Sequence, residues 1–227
     1  MRLLHRPTLG ASRRGASAIE LMIGLTVAAV AFTGVTLATT RARGVLDQNE
    51  HLLAMDTTQS RVGLRVTRAV LSARGANVTP DLRPVNGLPT PWSEQIGFRS
   101  MEDWVGGAIE WSPQQSLRWE RDPAEIDNGL DDDGDGLIDE GLLVWLLDEG
   151  GANEQRVVLA SSVAELAEGE LENGLDDNGN GLVDEAGASF DLTADGLMTF
   201  RLTLERAARG GVLVQRTRAT RIRLRND

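Results

Sequence analysis

The hydrophobic pattern changes its period once along the chain. The first part is helical. No charged side chain occurs from Leu21 to Ala38, and Ile19 to Ala38 makes 20 residues. That length is about 30 Å of helix, close to the hydrocarbon thickness of a bilayer. Further on, apolar positions step by three or four through Leu52, Met55, Val62, Val66, Ala69, Val70 and Ala73, with Gln59 a polar gap in the stripe. No proline falls between Pro7 and Pro80. The pattern therefore predicts one helix from about Ala16 to about Arg74, with Gly75 as its stop. Gly34, Gly44 and Gly63 weaken it by about 1 kcal/mol each relative to alanine.

After the helix the period falls to two. Four prolines from Pro80 to Pro91 predict a surface loop. Short apolar runs then follow with turn residues between them: EQIGFRS, GGAIEW, SLRWER, LLVWLLD and RVVLAS. Met198, Phe200, Leu202 and Leu204 alternate with Thr199, Arg201, Thr203 and Glu205, which predicts a strand with one buried face. Residues 212–225 predict another, with Ile222 and Leu224 inward and Arg221, Arg223 and Arg225 outward. A long helix followed by a strand-rich head is an α+β architecture.

Two stretches obey neither period. EIDNGLDDDGDGLIDE starts at Glu125, and ELENGLDDNGNGLVDE starts at Glu170, a constant offset of 45. Asp131, Asp133 and Asp135 place side-chain oxygens at the first, third and fifth positions of a loop, with Gly136 sixth; Asp176, Asn178, Asn180 and Gly181 repeat this. Such spacing curls oxygens around a hard cation, and the next carbonyl, Leu137 or Leu182, is a natural ligand. Asp139 and Asp184 fall at the ninth position. The twelfth, where a helix-loop-helix calcium site has a bidentate Glu, is Leu142 or Gly187. Glu140 and Glu185 come two residues early and are the candidates to close the shell. The competing reading is a solvated acidic turn, which does not explain the repeated oxygen spacing. These residues predict two calcium ions, with the second loop the weaker because it carries fewer charges.

Composition narrows the chemistry. The 227 residues include no Cys, only two His (His5 and His51) and a formal charge of −11, and every basic residue is Arg. A histidine-based triad or zinc site has few residues to draw on. The eight Arg from Arg201 to Arg225 read as a solvated strand face, with no interleaved aromatic to stack on bases, so no nucleic-acid partner is expected.

The N-terminus carries Arg2, Arg6, Arg13 and Arg14 and no acid before the apolar run. The basic leader predicts a cytoplasmic N-terminus with the remainder outside. A signal peptide cut near Ala38 and a plain signal anchor are both compatible with this. Arg14-Gly15-Ala16-Ser17-Ala18-Ile19-Glu20-Leu21 resembles the prepilin processing site of type IV pilins and type II secretion pseudopilins. The resemblance implies a leader at 1–15, cleavage between Gly15 and Ala16, a transmembrane and assembly helix at 16–75, and a periplasmic head at 76–227 with acidic loops at 125–141 and 170–186. Ala16 stands where the family usually has Phe or another large apolar residue. The implied role of Glu20 is to pair with the N-terminal amine of a neighbouring subunit. The segments LLVWLLDEGGANEQRVVLASSVAEL and LMTFRLTLERAARGG…TRIRLRN look like J-type minor pseudopilins and related minor pilins. That likeness implies a non-enzymatic filament subunit at or near a tip. Its implied partners are other minor and major pilins or pseudopilins, the prepilin peptidase and the bacterial inner membrane. A membrane-anchored extracytoplasmic calcium-binding enzyme, or an adhesin, is the alternative.

Overall fold

A computed structural model describes residues 17–74, 77–85, 90–208 and 211–224. Gly15, Ala16, Gly75 and Arg225 lie outside the described residues. The chain divides into two compact units between Leu46 and Asp47. One helix, α1 (Ala18–Val70), runs through both.

The helix starts on a reciprocal cap. The Ser17 hydroxyl accepts the Glu20 amide at 3.2 Å, and the Glu20 carboxylate accepts the Ser17 amide at 2.9 Å. This capping box satisfies two donors at a helix start. Its Ser-x-x-Glu spacing was present in the sequence alongside the processing resemblance. In the first unit the apolar side chains from Ile19 to Leu37 are exposed. This helix is long and apolar enough to cross a membrane.

The second unit is a helix packed on an antiparallel sheet. The strands are β1 (Trp92–Ser93), β2 (Gln95–Phe98), β3 (Met101–Val105), β4 (Ala108–Trp111), β5 (Gln115–Arg121), β6 (Gly141–Leu147), β7 (Gln155–Val163), β8 (Ala188–Leu192), β9 (Leu197–Ala208) and β10 (Val212–Arg223). The main sheet runs β1-β8-β9-β7-β6-β5-β2, with β10 paired along β9; β3 and β4 form a separate ribbon. One edge of β9 is shared, since Met198–Leu202 pair with β8 while Leu204 meets Val163 of β7.

The predicted stripe on α1 is the seam of the core. Met55, Val62, Val66, Ala69 and Val70 bury against Phe98, Leu117, Leu143, Phe190, Phe200 and Leu202. Phe190 and Phe200 are cross-strand partners whose rings stack with centroids 5.0 Å apart. The polar gap is filled chemically: Gln59 is buried and its Nε2 donates to the carbonyls of Leu202 at 2.9 Å and Arg216 at 2.5 Å. An amide placed there satisfies sheet carbonyls that an apolar side chain would leave without that donor.

Two expectations change. The helix ends at Val70 rather than near Arg74, because the Ala73 amide bonds back to Val70 and Ser72 then accepts the Met101 amide, drawing the chain into a bridge from Ala73 to Ser100. Strand β9 is also buried on both faces. Thr199, Thr203 and Glu205 are buried along with the apolar set, and Arg201, expected outward, pairs with the buried Asp191. Segments of the two acidic loops and their flanks lie across this polar face. The Glu168 amide bonds Thr217 Oγ1, which contacts Thr203 Oγ1, and Gly136 abuts Ala207.

Candidate metal centre in the paired acidic loops

Each loop leaves and re-enters the sheet through a matched bridge, Arg121 with Gly141 and Leu166 with Ala186. The necks also match. The Asp122 amide bonds the Glu140 carbonyl and the Glu125 amide bonds the Asp122 carbonyl; Ala167 and Glu170 do the same with Glu185 and Ala167. The duplication therefore reaches upstream to Asp122 and Ala167, at the same offset of 45.

Within the first loop, Asp131 accepts the amides of Gly134 (2.6 Å) and Gly136 (3.0 Å), Asp133 that of Asp135 (3.0 Å), and Asp135 that of Leu137 (2.9 Å). The second loop repeats these bonds through Asp176, Asn178 and Asn180. The positive φ at Gly134, Gly136, Gly179 and Gly181 lets both chains curl identically. Leu137 and Leu182 bury their side chains beneath the turns, which pins each loop to the head.

Two carboxylate groupings result. Asp131, Asp133 and Asp135 form an exposed trio whose oxygens lie within 4.8 Å of one another; Glu125, Asp133 and Glu140 form a deeper one by the same measure. Glu125, Glu140, Glu170 and Glu185 are only 5%, 3%, 6% and 0% exposed. Buried carboxylates need partners. Yet Oε2 of Glu140, Glu170 and Glu185 has none among the described residues. Burial, then the charges of Asp135, Glu125 and Asp133, push the Glu140 carboxyl up to about 7. A divalent cation between these oxygens would satisfy the orphans and cancel the repulsion, so the grouping can hold a metal ion.

The ninth-position aspartates bond the loop entrance. Asp139 accepts the amides of Asn128 (3.2 Å) and Gly129 (2.7 Å), and Asp184 those of Asn173 and Gly174. Both have left-handed backbones, φ 53° and 48°, which turn their carboxylates toward the loop entrance. Spacing named both as ligand candidates, and Asp139 is in neither of the two carboxylate groupings. It missed Glu125 and Glu170, which come from the opposite leg of each loop. Glu125 accepts the Asp133 amide at 3.1 Å and Glu170 the Asn178 amide at 2.9 Å. Their identity at the offset of 45 was the available signal.

Arg121 links the loops. Its guanidinium donates to the Asp139 carbonyl (2.9 Å), contacts Asp127 (3.3 Å), bonds Glu165 beside the second loop's neck (2.9 Å), and lies 5.6 Å from the Trp119 ring centroid. Each loop also displays a matched apolar pair, Ile126 with Leu130 and Leu171 with Leu175, all exposed. No family model, curated protein or solved structure matches the chain.

Proposed function

We propose that the chain is a minor pilin or pseudopilin, a membrane-anchored structural subunit that acts by assembly rather than turnover. The observation that carries this reading is the single unbroken helix from Ala18 to Val70, apolar and exposed in its first unit and seated on a sheet in its second. One element thereby offers both a membrane anchor and a scaffold for the head. In this reading the leader is removed after Gly15, the head lies in the periplasm, and other minor and major subunits are the partners. Glu20 caps its own helix before assembly and exchanges that bond for a neighbour's N-terminal amine in the filament, where a buried carboxylate requires a cation. Calcium is the ion of the acidic loops: the donors are oxygens at calcium-loop spacing, and magnesium seldom uses an all-protein cage.

The exposed apolar pairs on the loops support a second property, contact with a neighbouring subunit or a surface ligand. N-terminal sequencing of the processed protein tests the main reading. A first residue of Ala16 is expected. A start near Thr39, or an uncleaved chain, refutes the filament assignment.

A further inference from the structure

The two loops share a backbone but differ in the atoms they turn toward their buried glutamate. In the first loop Asp133 and Asp135 each use Oδ1 to accept an amide two residues on, and their Oδ2 atoms accept no hydrogen bond among the described residues. In the second loop Asn178 and Asn180 make the same Oδ1 bonds. Their remaining atoms are Nδ2 groups, and both donate to Glu185 Oε1, Asn178 at 3.0 Å and Asn180 at a shorter distance. The amide orientation is held by the backbone. Reversing either side chain would set its NH2 against the N–H of Asn180 or Leu182, donor against donor.

The first loop thus gathers five carboxylates, Glu125, Asp131, Asp133, Asp135 and Glu140, whereas the second gathers three, Glu170, Asp176 and Glu185. Two amides stand where a cation's charge would otherwise be required. Without an ion the first loop is left with unbalanced like charges around the partnerless Glu140 Oε2. The second keeps two hydrogen bonds across its centre, although its own orphan oxygens on Glu170 and Glu185 leave it able to take an ion.

We infer that the duplicated loops have diverged into a calcium-dependent first loop and a second loop that holds its shape without calcium. This inference rests on the calcium reading above. Its consequence is that calcium controls the order of the first loop, and with it the display of Ile126 and Leu130, while Leu171 and Leu175 stay presented whether or not the ion is bound.

The test is amide hydrogen exchange on the full chain in detergent micelles, with calcium and after chelation, beside a calorimetric calcium titration. On chelation, exchange in residues 122–141 should rise about tenfold or more, and in residues 167–186 by no more than about threefold. Asn178→Asp with Asn180→Asp should give the second loop the first loop's response. Asp133→Asn with Asp135→Asn should remove that response from the first, which keeps the inference falsifiable if the more acidic variant fails to fold. Calcium heat with equal exchange changes in both wild-type loops overturns the divergence and leaves the calcium reading standing. No heat and no change in either loop overturns both.

Discussion

Replacing Glu140 by Gln isolates the electrostatic logic of the first loop. The side chain keeps its size and loses a charge that sits 3% exposed beside Glu125, Asp133 and Asp135. Its carboxyl is raised from 4.5 to about 7. A folded-state value above the unfolded one contributes stability that is complete below pH 4.5 and is lost as pH rises through about 7. Ionising Glu140 in the calcium-free protein therefore costs on the order of 2 kcal/mol near pH 8, a figure reduced from the full linkage value because the Asp131–Asp133–Asp135 side is open to water. The Gln variant escapes that cost, and its amide can donate to the facing carboxylates as Asn178 and Asn180 do to Glu185. Thermal unfolding in micelles with a chelator should show the variant melting about 4–8 °C above wild type near pH 8 and close to it near pH 5. Millimolar calcium should raise the wild-type midpoint and move the variant much less. A variant that is destabilised near pH 8 without calcium, and still gains as much from calcium as wild type, would refute this account of Glu140.

Gln59→Leu removes the donor shared by the Leu202 and Arg216 carbonyls; it should cost about 1–3 kcal/mol in urea unfolding despite being more apolar, and a neutral result would mean the stripe's polar position is not structural. Arg121→Ala severs the contacts to Asp139 and Glu165, so a loss of about 1–2 kcal/mol is expected, together with weaker calcium binding measured by calorimetry. Leu130→Ser with Leu175→Ser should leave the melting temperature within about 2 °C of wild type, because both side chains are exposed; the proposed filament role further requires that the pair of changes reduce crosslinking to neighbouring subunits. Calcium affinity should fall as pH drops through about 7, since a proton on Glu140 competes with the ion; a flat pH profile from about 5 to 8 would place the ion away from Glu140.

Much of the architecture was legible as pattern. The long helix, its membrane-length apolar span, the Met55–Val70 stripe and the inward Ile222 and Leu224 depend on periodicity, which is a local property of a chain. The doubled loop and its oxygen spacing were equally local, so Asp131, Asp133, Asp135 and their counterparts stood out without coordinates. Distance along the chain hid the rest. Glu125 and Glu140 meet because Arg121 and Gly141 pair across adjacent strands, and no spacing rule brings the entry leg of a loop under its exit.

The helix end moved for a similar reason: Ser72 and Ala73 are held by Met101 and Ser100, partners remote in sequence. Alternation on β9 predicted one wet face, but the loops and their flanks lie over it and bury Thr203 and Glu205. Periodicity and residue spacing were enough to set out a membrane-length helix, a strand-rich head and two copies of an oxygen-rich turn. Which carboxylates are buried without partners, and which atoms of Asp133, Asp135, Asn178 and Asn180 face them, follows from how remote segments pack. Residue types specify what a side chain can donate or accept; the packing of distant segments specifies what it is turned toward.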